Sequence, residues 1–166
     1  MLTNDEAKYL LGLEKLLFDS DQIIDLKNKK NRLKLYSPED TYYNFWLEIT
    51  SNSKIILKTS IHHLESNTFI GLLRVDFRGR HQNPTEITDA LPEELKEFAG
   101  KLFGIDEPHM HIYVEGYKPL VWALPLKNTK LKESKIDELA DLIDIIVNFA
   151  EEINLKSRLD IQQALL

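Results

Sequence analysis

Between Leu33 and Asp76 apolar residues recur at every second position, and that period constrains the fold more than any other feature of the chain. Leu33 and Leu35 alternate with Lys34 and Tyr36. Phe45, Leu47 and Ile49 alternate with Trp46, Glu48 and Thr50, and Ile55, Leu57, Thr59 and Ile61 repeat the pattern. A last run, Ile70 to Arg78, sets Leu73, Val75 and Phe77 on one side and Leu72, Arg74, Asp76 and Arg78 on the other. A period of two is that of a strand with one buried face. The breaks between the runs, Ser37-Pro38-Glu39-Asp40, Ser51-Asn52-Ser53 and Glu65-Ser66-Asn67, are short and rich in turn residues. Parallel pairing needs a long crossover, so strands this close in sequence form an antiparallel meander.

Elsewhere the period is helical. Thr3 followed by Glu6 makes a capping box for a helix over roughly Asn4 to Phe18, with Ala7, Leu10, Leu11, Leu17 and Phe18 on its apolar stripe. Leu91-Pro92-Glu93-Glu94 opens a second, inserted helix, and Gly104 ends it. Ser134, answered by Asp137, caps the longest, whose stripe is Leu139, Leu142, Ile143, Ile146, Phe149, Ala150 and Ile153. Lys156 to Leu166 reads as a short final helix. Between these, His109 to Glu115 and Leu120 to Leu124 form a second hairpin around Gly116-Tyr117-Lys118-Pro119. The order gives a single α+β domain over residues 1–166. It has one mainly antiparallel sheet of about five or six strands, with the N-terminal, inserted and C-terminal helices packed on one face.

Composition narrows the functional classes. A hydrophobic content of 43% in 166 residues supports a sizeable core. With no cysteine, a disulfide scaffold, a Cys-ligated zinc, an iron–sulfur cluster and thiol catalysis are excluded, and the chain suits a reducing cytoplasm. No apolar run approaches the roughly 18 residues that cross a bilayer, and the start lacks the features of a secretory leader. The net charge of −6 disfavours a surface given over to nucleic acid, although it does not exclude a local contact. Charge is unevenly spread. Lys27 to Lys34 is basic with no acid, which reads as a solvated loop or a phosphate contact, and Glu86 to Glu107 is strongly acidic.

Chemistry concentrates at Pro108-His109-Met110-His111-Ile112-Tyr113-Val114-Glu115. As a strand, this segment sends Met110, Ile112 and Val114 to the core and His109, His111, Tyr113 and Glu115 to the other face. Such a row can move protons, hold a phosphate or bind a metal. Arg74 and Arg78 alternate in the same way, and their strand runs into Gly79-Arg80-His81-Gln82-Asn83-Pro84. If the two strands are neighbours, their polar faces merge, and arginine adds a planar fork for phosphate. The candidate catalytic set is therefore His109, His111, Tyr113, Glu115, Arg74, Arg78 and His81. No cofactor is called for, and the part of a metal is left open. The competing reading is a polar sheet face that merely meets water. His62 and His63 are adjacent, so they point to opposite sides and read as structural.

Two motifs match in part. His109-x-His111-x3-Glu115 resembles the core of the cupin metal motif, but the flanking glycines and a second motif are missing. The alternation also resembles the histidine-triad motif, with Tyr113 in place of the third histidine. Neither family is adopted. A closer resemblance runs from Leu72 to Leu126: His81-x-Asn83-Pro84, then Pro108-His109-x-His111-Ile112-Tyr113-x-Glu115-Gly116-Tyr117, then Trp122-Ala123-x-Pro125. It is similar to an uncharacterised family of small bacterial proteins found in mobile or accessory gene contexts, from which this chain departs by inserting the stretch around Leu91 to Phe103.

That resemblance implies two functional classes. One is an accessory protein that works by binding a protein partner, such as an antitoxin-like partner or a phage-derived inhibitor of a defence system, its acidic stretch meeting a basic surface. The other is a toxin-like nuclease or nucleotide-acting enzyme built on the His-x-His strand and nearby arginines. The absence of a complete catalytic set by spacing favours the first. The apolar Leu159 to Leu166 segment can dock on this chain or on a second copy, giving a homodimer.

Overall fold

A computed structural model describes residues 1–52, 55–132 and 135–162. In chain order the elements are α1 (Asn4–Gly12), β1 (Leu16–Leu17), β2 (Ile23–Asp25), β3 (Lys30–Tyr36), β4 (Asn44–Asn52), β5 (Ile55–Glu65), β6 (Gly71–Asp76), β7 (His81–Gln82), α2 (Glu93–Lys96), β8 (Leu102–Phe103), β9 (His109–Ile112), β10 (Trp122–Pro125), a 3-10 turn (Leu126–Asn128), α3 (Leu139–Glu152) and β11 (Asp160–Gln162). Seven strands form one antiparallel sheet in the order β1-β3-β4-β5-β6-β9-β10. The meander from β3 to β6 follows from the short turns between alternating runs.

The sheet has two unlike faces. Ile49, Ile61, Val75 and Met110 stand opposite one another on neighbouring strands and are buried in the main core. α1 supplies Ala7 and Leu10 to that core, and α3 supplies Leu142, Ile145, Ile146, Phe149 and Ala150. On the other face two polar rows cross the sheet: Thr50, Ser60, Asp76 and His109, and beside them Arg32, Glu48, His62, Arg74 and His111.

Several elements differ from the sequence expectation, each for a local reason. α1 stops at Gly12 rather than Phe18, because Lys15 turns inward and is fully buried. Its ammonium donates to the carbonyls of Leu10, Leu11, Leu13 and Ile153 at 2.8–3.1 Å, tying the C-terminal ends of α1 and α3 together. The inserted helix shrinks to the four residues of α2, and Phe103 leaves it for the β7–β8 ribbon. Its apolar side chains pack apart from the other helices: Leu91, Leu95 and Phe98 meet Val114 and Trp122 in a second cluster. The basic run is half strand, since Lys30–Lys34 lies in β3. The long helix begins at Leu139, and the proposed Ser134 cap lies outside the described residues. The tail is strand at 160–162, where β11 pairs in parallel with β2, and its last four residues lie outside the described ones. Among the described residues no helix is long and apolar enough to cross a membrane.

Candidate functional site

The site is made where β6 meets β9. Their antiparallel register sets Arg74 opposite His111 and Asp76 opposite His109, so the polar faces of the two segments merge. His109 and His111 are both fully buried, yet they do not lie in the apolar core. They sit beneath the inserted segment. The His81 ring stacks on His109 at 5.7 Å between centroids and meets His111 edge-on at 4.5 Å, while Phe103 packs on His109 at 4.6 Å.

The insert is held there by Asn83, which closes the open edge of β10. Its side-chain oxygen accepts from the Ala123 N–H at 2.9 Å, and its amide donates to the carbonyls of Ala123 at 2.7 Å and Phe98 at 3.0 Å. A side-chain amide thus plays the part of a neighbouring strand for one residue. His81 faces the Val121 carbonyl through Nε2 at 2.9 Å, which fixes its ring above the other two imidazoles. Burial, with the neighbouring His111, pushes the His81 imidazole below its ordinary range.

Both strand histidines are anchored by Nδ1. His109 Nδ1 lies 2.9 Å from the Glu107 carbonyl, and His111 Nδ1 lies 2.9 Å from the Leu120 carbonyl. Facing a carbonyl, each Nδ1 carries the hydrogen, and on the neutral His109 ring the electron pair is left on Nε2. Leu120 reaches its position through a left-handed backbone at φ 59°, and its side chain fills the space that a Cβ on Gly71 would take, with Cδ1 only 2.5 Å from it. Burial pushes the His109 imidazole down to about 4, so it is neutral at pH 7. Its Nε2 is buried and has no hydrogen-bond partner among the described residues.

Around His111 the charges are dense. Arg74 Nη2 lies 3.0 Å from His111 Nε2 and 3.0 Å from Asp76 Oδ2, and Arg74 Nε donates to the same oxygen at 3.1 Å. Asp76 Oδ2 is also 3.0 Å from His111 Nε2. Burial works to raise the Asp76 carboxyl, but the His111 contact and the Arg74 charge outweigh it and hold it well below the usual carboxylate range. One donor atom each from Asp76, His109 and His111 lies within 4.8 Å of the others.

Asp76 also lines a pocket of about 410 Å³ on the open half of the polar face. Lys29, Lys58 and Arg78 line it together with Thr50, Ser51, Ser60 and Phe77. Three cationic residues at one cleft can draw in an anion such as a phosphate group.

The candidate residues divide accordingly. His109, His111, Arg74 and His81 are brought together. Arg78 leaves the row, because β6 ends at Asp76 and Arg78 adopts a left-handed backbone at φ 58°; it borders the pocket instead. Tyr113 and Glu115 do not join the site. The strand ends at Ile112, the alternation breaks, and Tyr113 turns into the main core with its hydroxyl donating to the Leu2 carbonyl at 2.7 Å. Val114 goes to the second cluster, and Glu115 grips the start of α1, accepting from the Asn4 N–H at 3.2 Å. His62 and His63 fall on opposite faces, His62 in the polar row and His63 stacked on Phe45 in the core. Asp76 was readable from the alternation of β6 but was not in the candidate set, whereas Lys29, Lys58 and Phe103 carry no local signal for the site.

No curated protein and no solved structure matches the chain. A family model matches residues 2–155, and on that match the chain belongs to the family of unknown function DUF6978.

Proposed function

We propose that the protein cleaves a phosphate ester of a nucleotide or of RNA at the Asp76–His109–His111 cluster. The observation that supports this reading most is the adjacency of two contrasting sites joined through Asp76. One is a water-poor cluster of electron-pair donors, roofed by His81 and Phe103. The other is a cleft bordered by Lys29, Lys58 and Arg78. Cations in the cleft hold the phosphate. The electron pairs of His109, His111 and Asp76 activate the attacking oxygen, and Arg74, one-third exposed, turns its fork to the charge that develops on the phosphate. The test is incubation of the purified chain with a short single-stranded RNA and with nucleoside 2′,3′-cyclic phosphates, followed by product sizing. Cleavage by the wild type and its loss in His111→Ala with the fold intact is the expected result. No cleavage of any of these by folded protein contradicts it.

The accessory-protein reading keeps one supporting observation. Ile87, Leu102 and Ile105 are 50%, 65% and 41% exposed on the acidic inserted segment, which suits a partner that is basic and apolar there. On that reading reversal of Glu86 and Asp89 abolishes capture of the partner, and His111→Ala leaves it unchanged. A cytoplasmic setting, which the cysteine-free composition favours, serves either reading.

A further inference from the structure

Asp76, His109 and His111 each bring one donor atom within 4.8 Å of the other two, and His109 Nε2 there is buried without a hydrogen-bond partner among the described residues. The Nδ1 hydrogens of both imidazoles are already given to the Glu107 and Leu120 carbonyls. That arrangement fixes the tautomer and ring angle of metal-bound histidines, because the outer hydrogen bond leaves Nε2 free to ligate. His111 Nε2 and Asp76 Oδ2 lie 3.0 Å apart with the Arg74 Nη2 cation 3.0 Å from each, so the two atoms already converge on a positive charge. Ligands bound at about 2.1 Å to one ion stand roughly 3 Å apart. His109 Nε2 completes the triangle, fully buried and without a partner among the described residues. A buried electron pair left without a partner is costly, and coordination removes that cost.

Arg74 bonds the same two atoms as the ion requires. Its side chain is 32% exposed on a flexible stem, so it can swing towards the Lys29–Lys58–Arg78 cleft while its place beside Asp76 is taken. Two imidazoles and one carboxylate give a borderline-soft donor set. It suits first-row transition ions better than Mg²⁺ or Ca²⁺, which prefer oxygen throughout.

We infer that Asp76, His109 and His111 bind one divalent transition-metal ion of the Zn²⁺ type, leaving coordination positions for water and for an oxygen of the phosphate. The inference rests on the phosphate-ester reading for the ion's role, though not for its binding. Three protein ligands with open positions are the arrangement of a catalytic rather than a structural site.

Co²⁺ is the probe, because it takes the same ligands and absorbs visible light according to its geometry. The full-length chain is stripped with a chelator and titrated with Co²⁺, read by absorption and by heat. One Co²⁺ per chain is expected, with affinity falling by about 100-fold or more in Asp76→Asn and in His111→Ala. His62→Ala, in the same polar row but outside the triad, binds as the wild type does. Circular dichroism checks the fold of each variant. Paramagnetic shifts of the His109 and His111 ring signals in the wild type give the same answer without any substitution. Failure of the folded wild type to take up Co²⁺, or unchanged binding by folded Asp76→Asn, overturns the inference. Cleavage of phosphate ester by a chain that binds no ion overturns it too and leaves the phosphate-ester reading standing, whereas Co²⁺ bound at the triad without cleavage does the reverse.

Discussion

His111 Nε2 lies 3.0 Å from Asp76 Oδ2, although the two residues are 35 positions apart in the chain. The contact exists because β9, which follows the insert, returns to pair with β6 rather than continuing away from it. One register decision therefore creates the site. Arg74, directly opposite His111 in the neighbouring strand, balances the pair with a planar fork of donors.

Arg74 is the residue whose charge the proposed reaction needs most, and a lysine cannot copy its planar geometry. Arg74→Lys is expected to keep the fold and to lower kcat for phosphate-ester cleavage by about 100-fold, with a smaller change in KM. Steady-state kinetics with circular dichroism as the fold control check this. An unchanged kcat removes Arg74 from the mechanism.

Asn83 holds β10 by two bonds to Ala123 and one to Phe98. Asn83→Ala leaves those buried groups without partners and is expected to cost about 3 kcal/mol. Asn83→Asp is expected to do at least as much damage, since a carboxylate then faces the Phe98 and Ala123 carbonyls. Urea unfolding of both variants decides it, and a loss below about 1 kcal/mol in either shows that the edge does not depend on this amide.

Lys15 lies off the apolar stripe of Ala7, Leu10, Leu11, Leu17 and Phe18, so helical spacing alone turns it to solvent. That rule failed because four carbonyls at the ends of α1 and α3 converge on one point and attract the ammonium inward. Lys15→Met keeps the length of the stem and removes the donors, with an expected loss of about 2 kcal/mol in chemical unfolding. A variant as stable as the wild type means that the carbonyls find other partners.

His63 gives the acid limb of the stability curve a defined cause. Burial, together with the neighbouring Lys15 charge and His62, holds its imidazole well below the ordinary value, while its Nδ1 faces the Trp46 carbonyl at 3.2 Å. The unfolded chain takes up a proton near pH 6.5 that the folded chain refuses, so this contribution is fully present above that pH and is lost as pH falls below it. Wild-type stability is expected to fall from this group by about 0.7 kcal/mol per pH unit at pH 6.5, steepening to about 1.4 kcal/mol per unit roughly one unit lower. His63→Leu is expected to flatten that part of the curve. Parallel slopes in the two proteins would show that other groups carry the acid limb.

Alternation was the readable signal, and it worked where a strand has one wet face and one dry one. Arg74 and Asp76 against Val75, and His109 and His111 against Met110, are separated by that rule alone. It failed from Tyr113 onward, because the chain leaves the sheet at Ile112 to bind the start of α1, and a period carries no mark of where pairing stops. The inserted segment was less readable still. Its apolar spacing suits a helix, but Phe103 packs on His109 in β9 and Leu102 and Phe103 pair with β7, contacts between distant segments that spacing does not mark. The cleft draws Lys29 from the bend before β3, Lys58 from β5 and Arg78 from the bend after β6, a convergence that only the sheet order reveals.

The central claim is that Asp76, His109 and His111 form a reaction centre for phosphate esters. Its most direct test is the initial rate of bis(p-nitrophenyl) phosphate hydrolysis by the wild type and by Asp76→Asn, at equal folded concentration. Measurable turnover that falls by about 100-fold or more in the variant is the predicted result. Equal rates in the two proteins, or none in the folded wild type, contradict it.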